Sequence, residues 1–184
     1  ESYTGVFSSD ASNLPEADTS SRLVEARLRQ AQYLAGLGVW EWNPVNDDVV
    51  WSEEMFKIYG IHPESFTGKG SDYFGYTHPD DRATQDFNIR KSFHYVTSVS
   101  HRAVTPDGSS TSIRLDPQKF RIIRPDGSVR TVMGDAVAVV DKDNNPKSML
   151  GTLIDITDRV IAEQEKAEFD ARSSAAWRNP EIRL

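Results

Sequence analysis

The chain has 184 residues, of which 38% are hydrophobic and 27% charged, a balance typical of one globular domain with polar tails. Its formal net charge of −7 argues against a nucleic-acid surface, which needs a basic patch. The absence of cysteine excludes disulfides, thiolate catalysis and cysteinyl metal sites, and no apolar run is long enough to span a bilayer.

The N-terminal part is predicted to be a linker followed by a helix. Residues 1–20 are rich in Ser, Thr and Asp and contain few large apolar side chains. Such a segment cannot offset the entropy cost of ordering, so we expect a flexible linker. Residues 21–37 carry leucines and alanines at helical spacing, and Gly36 and Gly38 are stop signals. This pattern predicts an N-terminal flanking helix.

The next segment begins with strand signals. Trp40 and Trp42 share one face of a strand predicted over residues 39–43. A polar turn leads to a second short strand over residues 49–51. Ser52 follows directly and is the predicted N-cap of a short helix with acidic residues in its first turn.

A longer helix is predicted after a Gly- and Ser-rich loop. It starts at His78, which is followed by Pro79, Asp80 and Asp81, and it runs to about His94. Acidic side chains stabilise the first turn of a helix through its dipole. The helix start therefore explains the paired aspartates without a catalytic role.

The segment from residue 96 to residue 117 admits two interpretations. Residues 102–109 have the same form as residues 121–128, since each stretch contains an Arg and a Pro-Asp-Gly-Ser sequence. Pro-Asp-Gly is common turn chemistry, so the likeness can be a coincidence between two hairpin turns. Alternatively, the segment is an inserted hairpin that extends the edge of the sheet.

Three consecutive antiparallel strands are predicted over residues 119–157. Residues 125–127 (Pro-Asp-Gly) predict a tight turn, because proline presets φ, aspartate bonds to nearby backbone and glycine accepts a positive φ. A second polar turn over residues 141–146 leads to the third strand. A meander of this kind has one face to bury, so upstream segments should cover it.

The last segment, residues 158–184, is predicted to hold an exit helix and a tail. Thr157 is the predicted N-cap, and Asp158 suits the first helical turn. The apolar residues form only a thin seam, weaker than a coiled coil requires. Pro180 ends any helix that remains.

Five motifs occur together in the order and rough spacing of a known family. They are Val39-Trp40-Glu41-Trp42-Asn43, Trp51-Ser52-Glu53-Glu54-Met55-Phe56, Tyr59-Gly60, His78-Pro79-Asp80-Asp81-Arg82, and the C-terminal hairpin whose last strand ends in Asp155-Ile156-Thr157. This set resembles a PAS domain, the sensory module of bacterial signalling proteins, over residues 38–157. The resemblance implies an α+β fold. Its five-stranded antiparallel sheet would carry helices on one face and flanking N-terminal and C-terminal helices.

The resemblance also implies a function. A PAS module senses and relays a signal within a larger cytoplasmic receptor, such as a histidine kinase or a cyclic-dinucleotide enzyme, whose effector domain lies in the same chain. Residues 21–37, aided by the exit helix, would form a homodimer, and Asp155 and Thr157 would relay the signal. Two alternatives stay open. One is a ligand-free PAS module that serves as a dimerisation or spacer domain; the other is an enzyme whose site lacks known motifs.

Neither a cofactor nor a catalytic motif is expected. Haem-binding PAS domains place a histidine inside the long helix, but residues 83–90 contain none, which leaves only His94 as a candidate. The flavin and cinnamoyl photoreceptor versions need a cysteine for their photochemistry, and non-covalent flavin has no supporting motif. No Walker loop, GxGxxG turn, GxSxG elbow or HExxH metal spacing occurs. We therefore expect a regulatory module without haem, flavin or metal.

A small-molecule pocket between sheet and helices is the remaining candidate site. An aromatic and aliphatic set is expected to face that space, and the same set can equally form an ordinary core. Its members are Trp40, Trp42, Phe56, Tyr59, Phe87, Ile122, Val132, Met149 and Leu153.

Overall fold

The structure is a computed structural model that describes residues 14–94, 102–104, 110–143 and 145–177. The helices are α1 (Leu14–Ala35), α2 (Glu53–Tyr59), α3 (Ser71–Tyr76), α4 (Pro79–His94) and α5 (Thr157–Trp177), with a short 3-10 turn at Pro63–Ser65. The strands are β1 (Leu37–Asn43), β2 (Asp48–Trp51), β3 (Arg102–Val104), β4 (Ser110–Arg114), β5 (Gln118–Ile123), β6 (Val129–Asp141) and β7 (Pro146–Asp155).

The chain divides into two compact units, residues 1–35 and residues 36–184. Helix α1 belongs to the first unit, and the sheet with the other helices belongs to the second. Among the described helices, none is both long enough and apolar enough to cross a membrane.

Helix α1 starts and ends earlier than the sequence predicts. It begins at Leu14, so the end of the predicted linker (residues 1–20) is helical, while residues 1–13 lie outside the described part of the chain. Pro15 suits the first turn of a helix, where a backbone N–H has no partner within the helix. Gly36, with a φ of 59°, ends the helix, so the last residue of the predicted helix belongs to β1.

The second unit is built on one antiparallel sheet with the order β2-β1-β7-β6-β4-β3, and β5 also pairs with β6. The α+β class and the antiparallel sheet are confirmed, but the predicted count of five strands is corrected to seven among the residues that the structure describes. The two additional strands, β3 and β4, lie in the segment at residues 96–117, whereas β5 is the edge strand predicted from residue 119, and β4 continues this edge along β6.

The split edge strand contains a bulge. Arg114 is opposite Val137 and Gln118 is opposite Gly134, so three residues on the edge face two on β6. The Leu115 N–H still donates to the Ala136 carbonyl at 2.9 Å, which keeps the two strands together through the bulge. Strand β3 then pairs with β4 and extends the sheet edge, in agreement with the inserted-hairpin interpretation. Residues 105–109, between the two strands, lie outside the described residues.

The predicted turn between β5 and β6 is confirmed. Gly127 has a φ of 82°, and its N–H donates to the Arg124 carbonyl at 2.9 Å. The Asp126 carboxylate accepts from the Ser128 N–H at 2.8 Å. The turn brings β5 alongside the first half of β6, so Phe120 and Val132 face each other.

Helix α2 packs on the sheet and closes the main core. Its Met55, Ile58 and Tyr59 are buried together with Phe120, Ile122, Val132 and Leu153 of the strands. Burying one such apolar side chain contributes about 1.5–3 kcal/mol, so this contact holds the helix in place.

Ser52 does not cap α2 through its side chain, contrary to the prediction. Its Oγ instead accepts a hydrogen bond from the Val39 N–H at 2.9 Å, and its own N–H donates to the Val39 carbonyl at 2.8 Å. The residue that precedes α2 is therefore fixed to β1, which sets where the helix begins on the sheet.

Candidate functional site

A cavity of about 660 Å³ lies in the second unit, between the sheet and helices α2, α3 and α4. Strands β1, β2 and β4–β7 also contribute side chains to its wall. A volume of this size is within the range of known small-molecule pockets.

Five of the nine residues predicted for the pocket line this cavity. They are Trp40, Trp42, Tyr59, Met149 and Leu153. The four strand residues come together because β1 pairs with β7, where Trp40 is opposite Gly151 and Trp42 is opposite Met149, and Tyr59 reaches the cavity from α2.

The other four predicted pocket residues lie elsewhere, and the prediction is corrected for them. Phe56 packs edge-on against Trp51, with ring centroids 5.5 Å apart, and does not line the cavity. Phe87 is 61% exposed on α4. Ile122 and Val132 are fully buried in the core. Hydrophobic character alone could not separate core, cavity and surface positions.

The residues of α4 that do line the cavity include two amides that a hydrophobic pattern cannot detect. Gln85, Asn88 and Ile89 are spaced by three and four residues, so they share one helix face. Phe87 is on a different face of the same helix. The spacing of these three residues shows that they share a face of α4. It does not show that this face is the one turned to the cavity, because that depends on how α4 is oriented on the sheet.

One wall of the cavity is aromatic. The rings of Trp51 and Tyr59 have centroids 4.6 Å apart, and Tyr73 meets Phe120 edge-on at 5.8 Å. The Tyr73 hydroxyl donates to the Gln85 side-chain oxygen at 3.0 Å. Burial raises the pKa of Tyr73, so the phenol stays neutral at physiological pH.

Asp47 organises the loop beside the cavity. Its carboxylate accepts from Trp42 Nε1 at 2.9 Å and from the Ser71 N–H at 3.2 Å, and its φ of 61° is in the left-handed region. Partial burial acts to raise the pKa of Asp47, but the hydrogen bonds from Trp42 and Ser71 together hold it below its usual value. The charged carboxylate thus fixes one cavity indole and the start of α3.

The start of α4 is tied to β5 by an ion pair. Asp81 accepts from the Arg121 backbone N–H at 2.8 Å and from its guanidinium at 2.7 and 3.0 Å. The hydrogen bond from the Arg121 side chain is the main cause of the lowered pKa of Asp81. Asp81 therefore does more than favour the helix dipole, because it anchors a cavity helix to the sheet.

The predicted relay residues meet where β7 ends and α5 begins. Asp155 Oδ1 accepts from the Thr157 N–H at 2.9 Å and from Thr157 Oγ1 at 2.5 Å. Thr157 Oγ1 accepts from the Thr131 N–H of β6 at 2.8 Å. The sequence predicted Thr157 as the N-cap of α5, but Thr157 is the first residue of the helix. Its hydroxyl makes hydrogen bonds to Asp155 and to the backbone of β6.

Arg124 connects this junction to α2. Its Nε donates to the Ile58 carbonyl at 2.8 Å, and its Nη2 lies 3.3 Å from the Lys57 carbonyl and 3.5 Å from Asp155 Oδ2. The Arg124 and Asp155 side chains are 16% and 24% exposed, so solvent screens their charges only partly. Sequence reasoning missed Arg124, since it lies 66 residues from Ile58 along the chain.

Comparison with known sequences finds similarity over part of the chain. A family model described as PAS fold matches residues 48–118. The probable diguanylate cyclase DgcE of Escherichia coli (strain K12) is 24% identical over 149 residues, which cover 81% of this chain. This chain spans only 12% of the length of that relative.

Two solved structures have a similar fold. A sensory box histidine kinase/response regulator from Burkholderia thailandensis E264 has a TM-score of 0.55 and 21% identity, over 82% of this chain and 98% of that one. The N-terminal domain of a diguanylate cyclase with PAS/PAC sensor from Marinobacter aquaeolei has a TM-score of 0.51 and 15% identity, over 67% of this chain and 97% of that one. Together with the family match, these similarities show that the chain has the PAS fold.

Proposed function

We propose that this chain is the sensory module of a larger signalling protein, in which a small molecule binds the cavity and α5 carries the response to an effector domain. The effector would be a histidine kinase or a cyclic-dinucleotide enzyme, in keeping with the relatives named above. The observation that carries the proposal is Arg124, which bonds both to the end of α2 and to the junction where α5 begins.

The first part of the route runs from the cavity to Arg124. Met55 and Tyr59 of α2 line the cavity, so a ligand that enlarges or reshapes it displaces this helix. The carbonyls of Lys57 and Ile58 accept hydrogen bonds from the Arg124 guanidinium. A shift of α2 therefore changes the position of Arg124.

The second part of the route runs from Arg124 to α5. The guanidinium lies next to Asp155, and Asp155 holds both the N–H and the hydroxyl of Thr157. On β7, Leu153 lines the cavity and shares a strand face with Asp155, so the strand provides a parallel path. A switch needs two states that differ by only a few kcal/mol, a size that a few partly exposed polar contacts can supply.

The module is proposed to act as a homodimer through α1. Leu23, Leu28 and Leu34 on this helix are 51%, 58% and 76% exposed. A second copy of the chain presents the same exposed leucines, and a two-fold axis lets each copy cover those of the other. Ile161 and Phe169 of α5, also exposed, would add to the contact.

Light scattering on the purified chain tests this association. We expect a dimer at high micromolar concentration, conversion to monomer by Leu34→Glu, and an unchanged dimer for Arg29→Gln, which changes the net charge by the same amount at an exposed position on another face of α1. A wild-type chain that remains monomeric would contradict the proposal.

The proposed module is regulatory, with catalysis assigned to the effector domain. We propose that it works in the cytoplasm without haem, flavin, metal or nucleic acid. The acidic net charge of −7 supports the last point, and the lack of cysteine argues against thiol-based flavin photochemistry.

A fusion experiment tests the sensory function. The chain is joined through α5 to a diguanylate cyclase domain, and cyclase activity is measured with and without the small-molecule fraction of a cell extract. Native mass spectrometry identifies what the chain retains. The wild-type fusion should respond, Arg124→Met should retain the molecule without responding, and Lys142→Met in an exposed turn should behave as wild type.

Two results would contradict the proposal in different ways. If Arg124→Met responds as the wild type does, the signal does not pass through Arg124. If no molecule is retained and no fusion responds, the chain is a ligand-free dimerisation or spacer module.

A further inference from the structure

Gln85 is a buried residue whose side-chain amide makes one hydrogen bond, through its oxygen, within the described residues. It lies on α4, lines the cavity and is 4% exposed. Its side-chain oxygen accepts from the Tyr73 hydroxyl at 3.0 Å. Within the described part of the chain, no hydrogen bond is donated by its side-chain NH2 group.

Gln85 Nε2 is not among the buried polar atoms left without a partner in the described residues, so this unpartnered donor is accessible from the cavity. The NH2 group of Gln85 has both protons available to a bound molecule. A ligand with a hydrogen-bond acceptor at this point would therefore gain a hydrogen bond from Gln85.

The charges around the cavity leave its interior neutral. Arg114 pairs with Asp135, and Lys69 pairs with Asp48 at 2.6 Å. The Asp47 carboxylate accepts hydrogen bonds from Trp42 and Ser71. The remaining charged groups of the wall, Lys91 and Asp116, belong to exposed residues. Because burial of an uncompensated charge is costly, a neutral ligand fits this interior best.

The shape and chemistry of the wall favour a flat molecule. The rings of Trp51, Tyr59, Tyr73 and Phe120 line this wall, and because Trp51 already contacts Tyr59 at 4.6 Å and stacks on Phe66 at 4.2 Å, an entering ring packs against this cluster and not between its members. Aromatic rings bind other planar rings by stacking and edge-to-face contacts. A cavity of about 660 Å³ has room for a molecule of at least two fused rings.

We infer that the cavity takes a neutral, planar aromatic or heteroaromatic molecule whose carbonyl oxygen or ring nitrogen accepts a hydrogen bond from the Gln85 side-chain NH2 group. This inference rests on the proposed sensory function and specifies the ligand class of the same cavity. It would assign Gln85 as the residue that selects among flat ligands of equal size.

Quinoline and naphthalene are matched probes for this inference. The two molecules have nearly the same shape, and only quinoline carries an acceptor nitrogen. Their dissociation constants are measured by NMR titration of the wild-type chain, of Gln85→Met and of Ile89→Val, a control that alters the apolar wall of the same helix face. The ratio of the two constants should shift against quinoline by about fivefold in Gln85→Met and stay unchanged in Ile89→Val.

A second measurement needs no variant, because Gln85→Met also removes the acceptor of the Tyr73 hydroxyl and can impair folding. Quinoline should move a proton resonance of the Gln85 NH2 group downfield in the wild-type chain, and naphthalene should not.

The outcomes separate this inference from the proposed function. Binding of both probes with no effect on the Gln85 NH2 resonance and no change of the ratio overturns the inference, while ligand binding in the cavity stands. Binding of neither probe at millimolar concentration also overturns the inference, and the fusion experiment then decides the sensory function independently.

Discussion

Replacing Thr157 by valine should loosen α5 from the sheet while leaving the domain folded. Valine has nearly the same shape as threonine but no hydroxyl. The variant loses the hydrogen bond from Thr157 Oγ1 to Asp155 and the bond that Oγ1 accepts from the Thr131 N–H at 2.8 Å. The half-buried Thr131 N–H is then left without that acceptor.

The expected size of the effect follows from these contacts. Each lost hydrogen bond contributes about 0.5–1.5 kcal/mol, and an unsatisfied buried donor adds a further penalty. Since the Thr131 N–H is only partly buried, water offsets some of that penalty. We therefore expect a loss of about 2 kcal/mol. For a unit of the size of residues 36–184, this corresponds to a fall in Tm of about 4–8 °C.

Thermal denaturation and amide hydrogen exchange check this prediction. Thr157→Val should show the lower Tm and faster exchange at the Thr131 amide and in the first turn of α5. Thr157→Ser keeps the hydroxyl and should remain close to wild type in both measurements. A Thr157→Val variant with wild-type Tm and wild-type protection of Thr131 would refute the reasoning about this junction.

Three further predictions concern packing, pH dependence and cofactors. Gly151→Ala places a Cβ 2.2 Å from the Trp40 indole, whereas Gly75→Ala meets nothing within 4 Å. The first should cost at least 2 kcal/mol in chemical denaturation and the second less than about 1 kcal/mol, and equal costs would contradict the packing described. Asp81→Asn should be less stable than wild type by about 1–2 kcal/mol at pH 7. Because pairing with Arg121 lowers the pKa of Asp81, its contribution is present above the unfolded pKa of about 3.9 and is lost as the pH falls through the lower folded value. Urea titrations from pH 7 to pH 2 should therefore show the unfolding free energies of wild type and Asp81→Asn converging as the pH falls. A difference in unfolding free energy that stays constant with pH would exclude the ion pair as the cause of the difference. Purified protein should show no Soret or flavin absorption, and either band at near-stoichiometric level would overturn the proposal of a cofactor-free module.

The PAS fold could be predicted because its signals are local. A Pro-Asp-Gly turn depends on three adjacent residues, and Gly127 adopts the positive φ expected for it. The alternation along β1 likewise requires only neighbouring residues, and it brought Trp40 and Trp42 to the cavity. The order of such motifs along the chain was sufficient to identify the architecture.

The edge of the sheet could not be predicted with the same certainty. Whether residues 102–104 form a strand depends on pairing with residues 110–114, and that pairing depends in turn on β6. The two interpretations of this segment had the same sequence signals, so only the register of the strands separated them. The bulge between β4 and β5 could not be predicted for the same reason, because it depends on how both strands pair with β6.

The sequence by itself determined the fold class, the turn at residues 125–127 and the position of Trp40 and Trp42 at the cavity, because backbone conformation and hydrophobic alternation are encoded over a few residues. Tertiary structure alone decided which face of α4 meets the cavity. Gln85 and Asn88 therefore line it, and Phe87, which had been predicted to do so, is exposed. It also decided that Arg124 joins α2 to Asp155. The physical reason is the same in both cases. Polar side chains are compatible with solvent and with a buried partner alike, and only the folded chain brings such partners within hydrogen-bonding distance.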